Sequence, residues 1–435
     1  MTRWNRFAFA LLALLLSLGL LGVASGAAHA KKKDEDADKS KKLGVSKQVS
    51  DKLLEAYALF DEGNGDGALQ IVDALAKKRK LKPPEMAQIH RFRGYIYADK
   101  GQNEKAVAEF EQSLALHGLE PKTESDLIYS LAQMYTQLDQ YDKSLALINQ
   151  WFEREENPKP DAYFLKGMIL VQQEKFKEAA EPVEKAIELA DKPKESWLTT
   201  QGVIYSNLQE FDKVEVVLRK LVEMAPEKMQ YWTQLAAVQN HLGMEEKALA
   251  TMQVAYQGKI LKGDKELRQL ASLLFLQQQP FDCAKIIKDA LDTGAMEADS
   301  NAYRLISNCY IAAREQDRAL VPLAKAAELS PDADMYMLLG QMYLQKEKFE
   351  PALDALKKAL VKAKPEQRGS VELLTGIGQI GTEQLDAAER SFKAALADAK
   401  VKRAAESYLK FIEDKRMRDA QEQAVTAAAA AATEG

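Results

Sequence analysis

The sequence predicts an all-α fold, a superhelical solenoid of about ten helix-turn-helix units closed by a C-terminal capping helix. Two observations carry that expectation. A small residue recurs as Ala56, Gly94, Ala132, Gly167, Gly202, Ala236, Ala271, Ser307, Gly340 and Gly376, at intervals of 33 to 38 residues. Three other positions keep phase with this anchor. A large residue follows three places later (Leu59, Tyr97, Tyr135, Leu170, Tyr205, Leu274, Tyr310, Tyr343), and a small one twelve places later (Ala68, Ala106, Ser144, Ala179, Ala248, Cys283, Ala319, Ala352, Ala388). An apolar one follows sixteen places later (Val72, Phe110, Ile148, Val183, Leu218, Met252, Ile287, Leu323, Leu356, Phe392). Self-similarity at such a period marks a stacked helical array.

The elements follow in chain order. Arg3 and Arg6 precede an apolar run from Phe7 to about Val23, then small residues and the Ala-His-Ala of residues 28–30. That order predicts a signal peptide over residues 1–30, cleaved after Ala30. An uncleaved membrane anchor is the alternative reading of the same run. No cysteine at the cleavage point indicates lipidation, and the two arginines are not adjacent as a twin-arginine signal requires. Residues 31–47 are almost all charged and read as a disordered leader. The lysines there suggest a phospholipid contact as the other reading, but Asp34, Glu35, Asp36 and Asp38 neutralise them.

Residues 48–400 carry the repeats. Where two antiparallel helices approach most closely, only Gly, Ala or Ser leaves room, and bulky residues one turn away fill the space between units. A lone helix pair cannot bury its apolar face, so stacking supplies the core. Pro226 and Pro331 close inter-unit turns, having no N–H to continue a helix. There are departures from the pattern. Gln239 and Gln379 stand where tyrosine is expected, Val214 where a small residue is, and Pro280 falls in an inter-helix turn after Gln277–Gln279. The first unit's turn, DEGNGDG from Asp61, lacks the alternating acids of a calcium loop and the preceding strand of a phosphate loop, so it reads as a flexible turn. Residues 401–420 form the capping helix, with Ala405, Tyr408, Phe411 and Ile412 on its apolar side. Residues 421–435 are an alanine-rich, low-complexity tail that reads as frayed.

Composition narrows the function. Removing residues 1–30 takes away two arginines and no acid, leaving 58 basic against 65 acidic residues, a net charge of −7. An acidic surface argues against nucleic acid as the main partner. No later apolar run spans a bilayer, so the exported chain is expected in a bacterial periplasm. His90, His117 and His241 fall in different units without carboxylate or cysteine at ligand spacing, so no metal is expected. Nucleophile elbow, Walker loop and dinucleotide fingerprint are all missing. The reading is non-enzymatic, with no catalytic residue and no cofactor. Cys283 and Cys309 lie on consecutive helices of the seventh and eighth units, and an oxidising compartment permits a disulfide between them. The alternative is two free, small core residues.

Over roughly residues 48–400 the sequence resembles the tetratricopeptide repeat (TPR) family, best in RFRGYIYADKGQNEKAVAEFEQSLAL from Arg91. The resemblance implies a right-handed superhelix whose first helices line a concave surface. Positions three before and one after each anchor then give a partner-binding face that includes Arg91, Tyr95, Tyr129, Gln133, Phe164, Met168, Arg268, Arg304, Asn308, Met337 and Gln341. Such a mixture of aromatic, Met and Arg side chains suits a peptide or a partner's helix. Arg304 and Asn308 stand where chaperone-binding relatives grip a C-terminal carboxylate, but Asp334 and Leu338 occupy the rest of that clamp, which disfavours it. An open trough also lacks the deep pocket of a small-ligand receptor.

A narrower resemblance rests on HRFRGYIYADKGQNEKAVAEFEQSL, YWTQLAAVQNHLGMEEKALATMQVAYQGKI and SYLKFIEDKRMRDAQEQ. It is to exported bacterial TPR proteins encoded with TonB-type energy-transduction systems. This implies an accessory scaffold beside TonB, ExbB and ExbD components. The alternative function is a periplasmic scaffold for cell-envelope or outer-membrane protein assembly.

Overall fold

The computed structural model describes residues 44–433, with side chains to residue 426. The predicted signal peptide and residues 31–43 of the leader lie outside the described residues. The chain divides into two compact blocks, one ending at Pro226 and the other beginning at Glu227. Each block contains five helix pairs, and the described residues include no strand.

In the N-terminal block the pairs are α1 (Lys47–Asp61) with α2 (Gly65–Ala76), α3 (Pro83–Asp99) with α4 (Asn103–Ala115), α5 (Pro121–Gln137) with α6 (Tyr141–Phe152), α7 (Pro160–Gln172) with α8 (Phe176–Leu189), and α9 (Glu195–Asn207) with α10 (Phe211–Met224). In the C-terminal block they are α11 (Met229–His241) with α12 (Glu245–Gln257), α13 (Asp264–Leu276) with α14 (Pro280–Asp292), α15 (Ser300–Ala312) with α16 (Gln316–Leu329), α17 (Asp334–Gln345) with α18 (Phe349–Lys362), and α19 (Pro365–Gly381) with α20 (Leu385–Ala395). The chain closes with α21 (Lys402–Thr433). Within a block, helices pack chiefly on their sequence neighbours, which is the contact pattern of a solenoid.

The recurrent small residue sits against the residue sixteen places on. A Cβ added to Gly94 would lie 2.2 Å from the Phe110 ring, one on Gly376 2.6 Å from Phe392, and one on Gly340 2.7 Å from Leu356. Both phenylalanines at the far position face glycine, because a flat ring fits against bare backbone and nothing larger fits between. Serine uses the same closeness differently. Ser144 donates its hydroxyl to the Ala132 carbonyl at 2.7 Å, and Ser307 to that of Ala319 at 3.1 Å. Repeat five is looser: the nearest neighbour of a Cβ on Gly202 is Val217 at 3.6 Å. That leaves room for buried Val214 where other repeats have alanine, serine or cysteine.

All ten intra-repeat turns share one geometry. The residue seven after the anchor is left-handed in every repeat: Gly63, Gly101, Asp139, Glu174, Gln209, Gly243, Gln278, Arg314, Glu347 and Glu383. The next residue's N–H donates back to the carbonyl of the large residue three after the anchor, as in Gln102 to Tyr97 (2.9 Å) and Gln209's neighbour Glu210 to Tyr205 (2.9 Å). This closes each first helix with a Schellman-type bond. The DEGNGDG segment is therefore not a loose turn; Gly63 is its left-handed residue and the Asn64 side chain accepts from Gly67 N–H at 2.9 Å. Pro280 lies just past the turn, as the first residue of α14, where its missing N–H costs no helical bond.

The ends differ from the sequence boundaries. Ser46 is held by Glu85, which accepts from its N–H at 3.0 Å and its hydroxyl at 2.6 Å, so order begins inside the predicted leader. At the other end α21 does not stop near residue 420 but runs through the alanine tract, in keeping with alanine's helix propensity. Ala405 and Ile412 bury against Phe392 and Ala388, and Tyr408 stacks on Phe392 with ring centroids 4.9 Å apart.

Candidate functional site

The face to consider is set by helical geometry. Residues three before and one after each anchor lie one turn apart on the first helix, and of these only Leu53 and Val203 are buried. None of the eleven sequence-predicted contact residues is buried: Gln133, Arg304 and Gln341 are exposed, and the other eight are partly exposed.

In the N-terminal block this face is aromatic. The Arg91 guanidinium lies 5.7 Å from the Tyr95 ring centroid and donates to the Tyr57 hydroxyl at 3.2 Å, linking repeats one and two. Tyr95 meets Phe110 edge-on at 5.2 Å. Tyr129 rests on Trp151 at 5.0 Å, Trp151 on Phe152 at 5.3 Å, and Phe152 on Tyr163 at 4.9 Å. Phe164 stacks on Trp197 of the next repeat at 5.1 Å, and Met168 packs partly against the core below. Aromatic contacts of this kind hold large side chains in fixed rotamers, and Tyr95, Tyr129 and Phe164 stay partly open to solvent over the buried Phe110, Trp151 and Trp197. Burial, reinforced by the negative charge of Asp161, pushes the Tyr129 hydroxyl up to about 12, so it is a neutral donor at physiological pH. Asp161 in turn pairs with Lys194 at 2.5 Å.

The C-terminal block presents a different face. Arg268 is engaged within the chain: it donates to Asp264 at 2.8 Å, to Asp299 at 3.2 Å and to the Glu297 carbonyl at 3.2 Å, tying repeat seven to the loop before repeat eight. The hydrogen bond from Arg268 is also the main reason the Asp264 carboxyl is held below its ordinary range. Arg304 reaches only Asn301, at 3.2 Å, and Met337 packs partly on the core. Arg304 with Asn308 and Met337 with Gln341 are pairs one turn apart on α15 and α17. The structure thus joins Arg91 with Tyr95 directly; Tyr129 and Gln133, Phe164 and Met168, Arg304 and Asn308, and Met337 and Gln341 share a helix in pairs, and Arg268 stands alone on α13.

Counting from the anchors also reaches Tyr57, which shares Tyr95's register. Trp197 lies off that count, five before Gly202, and only the stacking on Phe164 reveals it. Cys283 and Cys309 are bonded, with Cα atoms 5.9 Å apart and both residues fully buried. Among the described residues no group of His, Cys, Asp or Glu could hold a metal ion, and no helix is long and apolar enough to cross a membrane. His90 bonds Glu109 at 2.7 Å in a network with Arg93 and Asp73, an arrangement that ties repeats one and two.

Profiles of the tetratricopeptide repeat match residues 53–121, 160–193 and 333–360, which are repeats one and two, four, and nine. No curated protein matches the chain. Among solved structures it is similar to a tetratricopeptide repeat protein from Parabacteroides merdae, at 17% identity and a TM-score of 0.37 over 66% of this chain and 94% of that one. It is also similar to YrrB, described as a TPR protein with an unusual peptide-binding site (17%, 0.34, 39% and 85%), and to MamA from Desulfovibrio magneticus (16%, 0.34, 40% and 94%). The matched segments are tetratricopeptide repeats, and proteins built of them mediate protein–protein interactions.

Proposed function

We propose that this chain of tetratricopeptide repeats is a non-enzymatic scaffold in a bacterial periplasm, gripping an extended segment of an envelope protein and serving a TonB-type energy-transduction system. One observation carries the gripping role: the half-exposed row of Arg91, Tyr95, Tyr129, Phe164 and Met168 on consecutive first helices of the N-terminal block, with Arg91 braced on Tyr95, Tyr129 on Trp151 and Phe164 on Trp197. Rigid aromatics contribute contact area at low entropic cost, and an arginine braced on a tyrosine presents its remaining donors to a partner's carbonyls or carboxylates. The compartment and the TonB association rest on the order of basic, apolar and Ala-x-Ala segments at the start of the sequence and on the narrower resemblance.

The test is crosslinked co-purification from the native host. Recovery of a TonB-, ExbB- or ExbD-like component is the expected result; recovery of none of them would count against the association. Tyr95→Ala with Phe164→Ala is expected to cut that recovery about tenfold, in line with hot-spot truncation, whereas Arg304→Ala with Gln341→Ala leaves it within about twofold. Equal losses from both pairs would remove the N-terminal face from its role.

A further inference from the structure

The turn edge of the repeats carries a polar pattern that one repeat breaks. Ten places after the anchor, in the first turn of the second helix, stand Asp66, Glu104, Asp142, Lys177, Asp212, Glu246, Asp317, Glu350 and Asp386 in nine repeats. Repeat seven has Phe281 there instead. Five places after the anchor the other repeats have polar or small residues, and repeat seven has Leu276. Leu276 is 70% exposed, Phe281 54% and Phe275 38%. The helix-start acid of eight other repeats is favoured by the helix dipole, so phenylalanine at that position gives up a local gain without burying itself in exchange.

The neighbouring repeat continues the patch. In three places the residue six after an anchor meets the acid of the preceding repeat: Lys100 pairs with Asp66, Gln173 donates to Asp142 at 2.8 Å, and Lys346 pairs with Asp317 at 2.9 Å. By the same register Ala313 stands beside Phe281, with exposed Ala312 next to it. Among the described residues, repeats seven and eight make no such tie at this edge, where the Cys283–Cys309 bridge joins their helices. Cys283 lies two residues past Phe281, and Cys309 three residues before Ala312. The covalent bond therefore fixes the two halves of the patch relative to each other, which is preorganisation for docking.

We propose that this edge is where a second copy of the chain docks, in a weak two-fold dimer. Two features select that occupant. The patch is flanked by Asp282 on the repeat-seven side and Arg314 on the repeat-eight side; both are exposed, and neither makes a side-chain hydrogen bond or ion pair among the described residues. An acidic partner segment would satisfy only the arginine and a basic one only the aspartate. A two-fold axis instead sets each Arg314 against the other copy's Asp282, as an isologous interface requires. The three large side chains offer on the order of 300 Å² of apolar surface, at roughly 200 Å² for a whole large side chain. A stable dimer needs about 800 Å² per partner, so the pairing is weak and depends on concentration.

The experiment is sedimentation velocity on the protein purified as its host processes it, from about 5 to 500 μM, a span suited to weak association. The weight-average mass is expected to rise from one copy toward two. Leu276→Gln with Phe281→Asp restores residues that other repeats carry at these positions, so it should keep the fold, checked by circular dichroism and melting, and stay monomeric throughout. Arg314→Asp should weaken the dimer about tenfold, and adding Asp282→Arg should bring it back within about threefold, because the charges meet across the axis. A wild type that stays monomeric overturns the proposal, as does a dimer that survives the double substitution. A monomer that binds phosphatidylglycerol vesicles through Phe281 also overturns it, since the patch then faces lipid. This inference does not depend on the identity of the partner gripped by the aromatic row.

Discussion

The two blocks build the same helix pairs and use the free face of their first helices differently. In the N-terminal block that face carries a row of braced rings; in the C-terminal block the matching positions include Arg268, Ser272, Arg304, Asn308, Met337 and Gln341, and Arg268 is engaged inside the chain. The C-terminal block carries the disulfide in return, and with it the interruption of the polar turn edge. The difference teaches that the steric code constrains the anchor and the positions three, twelve and sixteen after it. Positions three before and one after the anchor stay at least partly exposed in every case but Leu53 and Val203, so they can differ from block to block.

That contrast can be broken in order of expected effect. Removing the bridge with Cys283→Ala and Cys309→Ala deletes a cross-link between residues 26 apart in sequence, worth about 3.5 kcal/mol in the loop-entropy account. Hydrogen exchange followed peptide by peptide should show the C-terminal block opening more readily while the N-terminal block is unchanged; equal loosening of both would show that the blocks share one unfolding unit.

Next in size, Gly94→Ala forces a methyl to 2.2 Å from the buried Phe110 ring and should cost about 2 kcal/mol by overpacking. Gly202→Ala meets nothing closer than 3.6 Å, and should stabilise by about 0.5–1 kcal/mol through helix propensity. Denaturant midpoints check the pair, and the same sign for both would undo the claim that repeat five is looser.

Smallest is an effect of acid on the N-terminal edge. Burial raises the Glu85 carboxyl, but hydrogen bonds from the Lys82 backbone and from the hydroxyl and backbone of Ser46 outweigh it, leaving the group below its ordinary value of 4.5. A depressed folded pKa contributes stability that is fully present above the unfolded value and lost as pH falls through the folded one. Acidification from pH 4.5 downward should therefore release the amides of residues 46–50 first, and Glu85→Gln should remove that pH dependence. Uniform exchange across the block at low pH would deny Glu85 the role.

The helices, their pairing and the close-approach points are legible in the sequence because packing acts there on side-chain size, and size is what a sequence displays. The turns are not. Their left-handed residue is glycine in Gly63, Gly101 and Gly243 and something else in seven repeats, since main-chain hydrogen bonds fix the conformation whatever the side chain. Counting reached the unburied candidates but did not foresee that Arg268 is spent on Asp264, one turn before it, and on Asp299, which meets it only through the loop between repeats. Trp197 was hidden for a similar reason: its partner Phe164 belongs to the preceding repeat.

The Schellman-closed turn has a consequence for how such a protein changes over time. Since main-chain hydrogen bonds secure the bend, side chains around it are free to drift, and within each block the edge that carries the bends becomes a tolerant margin for trying out new contacts. Surface chemistry can be rewritten there one repeat at a time, with the interior stack left as it was.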